Sequence, residues 1–294
     1  MTTTSTNAAL DFDAWIASLG GLHLDNGSHR DPEQGHCLME AVSMFAKEPF
    51  TDEPTCVSPY LRRFGIGLND RANDQRRQDL QRFIPLVVGT AGDGLDEQRR
   101  WLAADHITKV LTPKWLDRAN LPELAAKLRN LTPITDHASW LEARKAITEV
   151  RDITWPLRQS RWQTIRDAAV NAWRENQSAD AVAVAVAVAA ADAVADAVAA
   201  ADAAAAAAAD ADAAAAAAAD AAAAAAADAA AAAAADADAD ARFSDRWWTV
   251  RNATYADVYP KIRALYEERF GDLVAESWND ALDLYERLIA PEQS

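Results

Sequence analysis

An uninterrupted run of Ala, Asp and Val residues from Ala179 to Ala241 constrains the fold more than any other feature of the chain. Every odd-numbered position in the run is Ala, and the even-numbered positions carry Ala, six Val and eleven Asp. Strict alternation is the period of a β-strand, but Ala is depleted from strands and is the best helix former. The non-Ala residues cost about 10 kcal/mol in total relative to poly-Ala, which is under about 0.2 kcal/mol per residue. The run therefore predicts a helix, about 95 Å long if it is continuous.

The composition of this tract allows four possible functions to be compared: a membrane span, ice binding, mimicry of nucleic-acid charge, and a spacer or helical arm. A membrane span needs about 20 apolar residues, and the longest Asp-free run, Ala181 to Ala191, is about half that length, so a span is excluded. Ice-binding helices carry Thr on one face, and the tract has no Thr, so ice binding is excluded as well. Mimicry of nucleic-acid charge is weakly supported, because Asp residues eight positions apart turn by about 80° per step and spiral around a helix. A spacer or helical arm that packs weakly through Ala is the favoured interpretation.

The charge of the chain is concentrated in the same tract. The formal net charge is −16, and the eleven Asp of the tract leave −5 for the remainder. This local acidity argues against direct binding of DNA or acidic lipid by the whole surface. Two cysteines do not make a secreted disulfide framework, and the first residues lack the pattern of a signal peptide. We therefore expect a cytoplasmic protein.

Capping residues and prolines divide the rest of the chain into short helices, and strand signals are nearly absent. Asp31-Pro32 predicts a helix start with Asp as N-cap, and Ser58-Pro59 predicts another. Asp74 predicts the cap of a helix that reaches Ile84, and Trp155-Pro156 predicts a helix break. Five of the ten Trp residues lie mostly on apolar helical faces and are expected in the core: Trp101, Trp140, Trp162, Trp173 and Trp278.

These patterns predict an all-α protein in three parts. Residues 1–178 form a helical N-terminal domain, residues 179–241 form the Ala/Asp/Val low-complexity helical tract, and residues 242–294 form a C-terminal helical pair. The two helices of that pair are expected at about Ala256–Phe270 and Leu273–Ile289.

One group of polar residues near the N-terminus has the composition of a metal site: His23, His29, His36, Cys37, Glu40, Asp52, Glu53 and Cys56. Thiolate, imidazole and carboxylate together suit zinc, and Cys37 and Glu40 can share a helix face. The spacing matches no standard zinc finger. Cys37 can equally be a small buried hydrophobe, and a Cys–His nucleophile is a third interpretation. The metal hypothesis assigns Cys37, Cys56, His23 and Glu40 as ligands.

The glycine-rich turn from Gly89 to Gly94 resembles a phosphate-binding loop only loosely. It lacks the Gly-Lys-Ser/Thr ending, so a turn that starts a helix, with Asp93 near the N-cap, is the better interpretation. The basic residues Arg76, Arg77, Arg82, Arg99 and Arg100 are interleaved with Asp and Glu. They indicate a solvated face in preference to an RNA-binding patch.

Several short segments carry a resemblance to a known family: Gly21-Leu-His23, Gly35-His-Cys-Leu-Met-Glu-Ala41, Thr51-Asp-Glu-Pro-Thr-Cys56, Asn69-Asp70, Val88-Gly-Thr90 and Ser277 to Ile289. With these segments the chain resembles an uncharacterised family of actinobacterial and actinobacteriophage proteins, in which an Ala-rich region commonly sits between the two parts. The family often has Asp-His-Pro where this chain has Asp52-Glu53-Pro54. If that His is a ligand in the family, Glu53 must replace it here. The resemblance implies a bacterial or phage origin and no known activity.

The sequence thus favours a non-enzymatic structural or protein-interaction protein that binds a protein partner or itself, without direct contact to nucleic acid or membrane. The alternative is a zinc-binding protein, with metal-dependent or thiol chemistry near residues 23–56. A third hypothesis is an acidic decoy of a DNA-binding protein, in which the tract binds a basic partner.

Overall fold

The computed structural model describes residues 12–176, 256 and 271–291. The described part of the chain is helical and contains no strand, which confirms the all-α prediction. The Ala/Asp tract lies outside the described residues, as does nearly all of the first helix predicted for the C-terminal pair. Across the described residues, no helix combines the length and the apolar character needed to cross a membrane.

The helices are mostly short because caps, prolines and glycines recur at short intervals. In chain order they are α1 (12–18), α2 (Leu38–Phe45), α3 (Pro59–Arg71), α4 (Asp74–Arg77), a 3₁₀-helix (Gln78–Phe83), α5 (Ile84–Val87), α6 (Asp96–His106), a π-helical turn (Ile107–Leu111), α7 (Thr112–Arg118), α8 (Pro122–Arg129), α9 (His137–Asn176) and α10 (271–289). The chain divides into two compact units. Among the described residues, unit 1 contains 12–104, 134–136 and 279–291, and unit 2 contains 105–133, 137–176, 256 and 271–278.

The core of unit 1 is organised around Tyr285 of α10. Its ring stacks on Phe64 of α3 at 5.6 Å between centroids and meets the edge of Phe83 at 4.9 Å. Its hydroxyl donates to the carbonyl of Leu61 at 3.1 Å, and the side chain is fully buried. Burial raises the pKa of this hydroxyl well above its usual value. The C-terminal helix is therefore part of the same core as the N-terminal helices.

Gly65 gives α10 the space to approach α3. A Cβ at this position would lie 2.6 Å from the Tyr285 hydroxyl and 2.9 Å from Cε of Met39. A helical glycine costs about 1 kcal/mol relative to Ala, so its presence in mid-helix has a packing reason here. The close approach lets the hydroxyl reach the backbone of α3.

Arg99 of α6 fixes the end of α10. Its Nε donates to the Leu288 carbonyl at 2.9 Å, and its terminal nitrogens donate to both oxygens of Asp93 at 2.8 and 2.5 Å and to Asp96 at 2.9 Å. Burial opposes the charge of Arg99, but the hydrogen bonds to Asp93 and Asp96 keep its pKa raised. The guanidinium thereby satisfies a carbonyl at the helix C-terminus, where the dipole also favours a cation.

Unit 2 packs α7, α8 and the first half of α9 around buried apolar residues, among them Trp115, Leu116, Ala125, Leu128, Ile147 and Val150. Arg129 of α8 pairs with Asp117 of α7, and Lys127 pairs with Glu149 of α9. The predicted burial of Trp101 and Trp278 is confirmed, whereas Trp140 is half-buried and carries the Arg144 guanidinium 5.2 Å from its ring centroid. The side chains of Trp162 and Trp173 lie outside the described set.

The predicted helix start at Asp31-Pro32 is wrong. Residues around Asp31 form a turn, in which the Glu33 N–H donates to the Asp31 side chain, and α2 begins only at Leu38. Cys37 is the actual N-cap. The preference of Asp31-Pro32 for a helix start is overridden at this position. Glu40 completes a capping box with Cys37, and it holds the preceding loop through its hydrogen bond with the His29 backbone.

Two further boundaries differ from the sequence prediction. α9 continues through Pro156, which removes the N–H that would bond to the Asp152 carbonyl; Asp152 and Pro156 are both exposed, so water can reach that carbonyl. The helix predicted from Asp74 to Ile84 is instead α4, a 3₁₀-helix and α5, and its cap is Asn73. Pro85 lies in the first turn of α5, where its missing N–H costs nothing.

Candidate functional site

Glu40 is the centre of the polar cluster that the sequence singles out. Its carboxylate is buried, with 1% of the residue exposed, and accepts three hydrogen bonds. The backbone N–H of Cys37 donates at 2.7 Å and that of His29 at 2.5 Å, and the His29 ring nitrogen Nδ1 lies 2.9 Å away. Burial opposes ionisation of Glu40, but the hydrogen bonds from Cys37 and His29 outweigh it and lower the pKa of the carboxyl. Glu40 is thus a buried carboxylate that joins the 22–37 loop to α2.

Cys37 acts in this cluster as a helix cap. Its Sγ accepts from the Glu40 N–H at 3.5 Å, and burial raises the pKa of the thiol to about 12. Since the thiolate is the form that attacks and binds metal, a protonated thiol at neutral pH disfavours nucleophilic chemistry at this position.

The loop that contributes His29 is held by side chains from two helices. The amide of Asn69, which is fully buried in α3, donates to the Asp25 carbonyl at 2.9 Å and accepts from the Leu38 N–H at 3.1 Å. Gln78 pairs with both backbone groups of Leu24, at 2.9 and 3.0 Å. This network explains why a loop without regular structure keeps Glu40 and His29 in place.

The structure places the other two predicted ligands, His23 and Cys56, and the nearby His36 in other surroundings within unit 1. His23 lies with its Nε2 3.1 Å from Asp74 Oδ1 and is more than half exposed. Cys56 is half-buried beside Glu48; burial, followed by the neighbouring carboxylate, raises the pKa of its thiol to about 11. His36 meets the edge of the Phe50 ring, with 6.3 Å between centroids.

Of the four residues assigned to zinc, the structure therefore brings Cys37 and Glu40 together, with His29 as the adjoining imidazole. Within the part of the chain that the structure describes, no group of three or more His, Cys, Asp and Glu side chains is arranged to hold a metal ion.

The glycine-rich turn after α5 is structural. The N–H groups of Gly89 and Ala91 donate to the Cys56 carbonyl at 3.0 and 3.2 Å. Asp93 accepts from the Leu95 N–H at 3.0 Å just before α6, as expected for a turn that starts a helix. The hydrogen bonds from Arg99 lower the pKa of the Asp93 carboxyl and outweigh burial, which acts in the opposite direction.

An open groove in unit 1 lies between the start of α3 and the start of α6. Its volume is about 560 Å³, within the range of binding pockets. Three arginines, one tyrosine, two carboxylates and two apolar residues line it: Arg62, Arg63, Arg100, Tyr60, Glu53, Asp96, Pro59 and Ile66. We call this feature the arginine groove.

The positions of the arginines follow from helix geometry. Arg63 and Ile66 are three residues apart on α3 and therefore lie on one face. Asp96 and Arg100 are four apart on α6 and likewise share a face. The two helices meet here because the Ser58 hydroxyl, the cap of α3, donates to the Asp96 carboxylate.

Sequence reasoning missed this groove, since it assigned Arg100 to a solvated face and gave no role to Arg62 or Arg63. The local signal was present in Pro-Tyr-x-Arg-Arg directly after the helix cap at Ser58. The contribution of α6 could not be seen, because nothing local shows that residues near 60 and near 100 face each other. Comparisons with protein-family models, with curated proteins and with solved structures find no match.

Proposed function

We propose that the protein is a non-enzymatic protein-interaction protein and that it binds a protein partner through the arginine groove. The observation that carries this proposal is that three arginines and a tyrosine line one open groove of about 560 Å³. Arginine and tyrosine are the residues most enriched at binding hot spots, because each combines a large contact area with directional hydrogen bonding.

The charge of the chain supports a protein partner over nucleic acid. A net charge of −16 repels a polyanion at long range, whereas a partner surface can match a local basic groove. Both cysteines are free thiols, which suits a reducing compartment, and we propose a cytoplasmic location in a bacterial host. The family resemblance supports the bacterial or phage origin.

The experiment is a selection of random peptides displayed on phage against the full chain, followed by hydrogen–deuterium exchange with the selected peptides. We expect bound peptide to slow exchange at the beginning of α3 and at α6, around residues 59–66 and 96–100. A selection that yields no saturable binder, or peptides that protect only other segments, would refute the proposal.

Zinc binding through Cys37, Cys56, His23 and Glu40 is the alternative proposal. It has less support, because Glu40 is engaged by three hydrogen bonds and both thiols have raised pKa values. Native mass spectrometry of protein purified without chelator tests it, since a stoichiometric zinc that disappears in Cys56→Ala would favour it. The acidic decoy is tested in the same preparation by salt-sensitive binding of a basic protein that is lost when residues 179–241 are deleted.

A further inference from the structure

We propose that Asn26 is a site of covalent modification, at which the side-chain amide is lost through attack by the backbone nitrogen of Gly27. The site lies in the 22–37 loop of unit 1 and is independent of the arginine groove. The sequence contains a single Asn-Gly pair, and the fold presents it in a bend outside the helices, with the Asn side chain exposed.

The reaction needs no co-reactant other than water. The Gly27 nitrogen attacks Cγ of Asn26 and forms a new C–N bond, while the bond from Cγ to the side-chain nitrogen breaks. That nitrogen leaves as ammonia, which takes up the proton of the Gly27 N–H. Water then opens the succinimide ring at either carbonyl. Opening at the former side-chain carbonyl gives aspartate, and opening at the backbone carbonyl gives isoaspartate, in which the main chain runs through the side-chain carbon.

Three features of this bend favour the reaction. Gly27 has a φ of +78°, which suits glycine, and a Cβ built there would meet no heavy atom within 4 Å beyond its chain neighbours, so the ring has space to form. The Gly27 N–H donates to Asp70 Oδ1 at 3.2 Å, so a carboxylate lies where the proton must be removed. The exposed Asn26 side chain is open to the water that completes the reaction.

The hydrogen bonds that hold the pair are weak enough to permit the attack. Asn26 Nδ2 donates to the Asp70 carbonyl at 3.2 Å, the same length as the bond from the Gly27 N–H, and both bonds are exposed to solvent. This length is at the long end of the range of about 2.7–3.2 Å for such bonds. Because water can replace an exposed partner at little net cost, Asn26 can turn its Cγ toward the Gly27 nitrogen.

The products cannot keep the contacts that the amide makes. An aspartate side chain has no N–H to donate to the Asp70 carbonyl, and its charge is added close to the Asp70 carboxylate. Isoaspartate lengthens the backbone by a methylene group between two fixed points of the loop. These are Asp25, whose carbonyl accepts from Asn69, and His29, whose N–H donates to Glu40. Modification therefore loosens the attachment of the loop to α3.

The test incubates the full chain at pH 6 and at pH 8 and follows its peptides by chromatography and mass spectrometry, which separate amide, succinimide, aspartate and isoaspartate. Asn130 is the internal control, because it is exposed and is followed by Leu131 instead of glycine. We expect Asn26 to react at least about tenfold faster than Asn130, since glycine leaves the attacking nitrogen unhindered and the backbone free to rotate. The reaction should be faster at pH 8, because the attack requires loss of the N–H proton.

Two variants separate the chemistry from the stability of the loop. Asn26→Gln keeps an amide donor but would have to close a larger ring, so we expect it to stay unmodified. Asp70→Asn keeps an oxygen that can accept from the Gly27 N–H but removes the base, so we expect slower reaction at Asn26. Hydrogen–deuterium exchange of the modified protein should be faster across residues 22–37 than in fresh wild type, and incubated Asn26→Gln should show no such change.

Three results would overturn this assignment in whole or in part. Reaction at Asn26 no faster than at Asn130 would refute the site itself. Equal or faster reaction in Asp70→Asn would refute the role of the carboxylate, and unchanged exchange of the 22–37 loop after modification would refute the structural consequence. Each of these results leaves the proposed function untouched, because none of them depends on a partner bound in the arginine groove.

Discussion

Replacing Glu40 by Gln removes the charge of the buried cluster with almost no change in side-chain size. The carboxylate accepts from the His29 N–H at one oxygen, and at the other from the Cys37 N–H, with His29 Nδ1 also close by. A Gln side chain has one oxygen, so whichever way it is oriented its NH₂ group faces a backbone N–H. Hydrogen bonds to charged groups contribute about 1.5–3 kcal/mol each, and a buried donor left without a partner adds a penalty of similar size. We expect Glu40→Gln to lower the free energy of unfolding by about 2–4 kcal/mol at pH 7.

The loss of unfolding free energy in Glu40→Gln should depend on pH in a defined direction. The pKa of Glu40 is lowered in the folded protein, so the folded state gains stability from ionisation that is fully present above the unfolded-state pKa of about 4.3. This contribution disappears as the pH falls through the folded-state pKa. The difference in unfolding free energy between wild type and Glu40→Gln should therefore be largest near neutrality and should shrink below about pH 4.

Urea denaturation followed by circular dichroism, repeated between pH 3 and pH 8, measures both effects. Glu33→Gln is the matched control, because Glu33 belongs to the same loop and is exposed; it should change stability by no more than about 0.5 kcal/mol. A Glu40→Gln effect as small as that of the control, or one that stays constant across this pH range, would refute the assignment of Glu40 as a buried, hydrogen-bonded carboxylate.

Three further substitutions test the packing of unit 1 and the role of the Cys37 thiol. Gly65→Ala should destabilise by about 1–2 kcal/mol in urea denaturation, because the new methyl group meets the immobile hydroxyl of Tyr285 and this overlap exceeds the gain in helix propensity. Arg99→Met should cost about 2–4 kcal/mol in the same assay, since it removes the side-chain donor to the Leu288 carbonyl and the buried cation that pairs with Asp93 and Asp96. Cys37→Ser should change stability by no more than about 1 kcal/mol, because serine is a good N-cap, and native mass spectrometry should find its metal content unchanged.

Each of these predictions has its own control or contrary outcome. Gly271→Ala, at a helical glycine with open space around its Cβ position, should be neutral or stabilising; equal losses at both glycines would show that α10 does not approach α3 closely. Arg100→Met, at an exposed arginine of the same helix, should have little effect on stability. Cys37→Ser protein that unfolds together with loss of a bound zinc would refute the capping role and support the metal alternative.

Local sequence signals located most of the elements of unit 1. Ser58-Pro59 starts α3 as predicted, and Asp93 forms the turn before α6. These features are predictable because a cap or a turn satisfies backbone groups within three or four residues of itself. The prediction failed at Asp31, where the capping box of Cys37 and Glu40 sets the helix start, and at Pro156, where α9 continues through the proline.

For the polar cluster around Glu40, the sequence predicted the residue types but only part of their arrangement in space. The sequence indicated that Cys37 and Glu40 share a helix face, and the structure places them in one capping box. It could not show that His29, eleven residues earlier, would supply the third partner, because the loop between them is fixed by Asn69 and Gln78. Nor could it separate His23 and Cys56 from the cluster.

What the sequence by itself determined is the helical class, the cap of α3 at Ser58 and the concentration of negative charge in the tract, since each depends on residue type and near neighbours alone. What only the tertiary structure decided is that α10 completes the core of unit 1 through Tyr285, that Arg99 closes its end, and that Arg63 and Arg100 face one groove. These contacts join residues far apart in the chain. Their formation depends on shape and burial in the folded core, which no local spacing encodes.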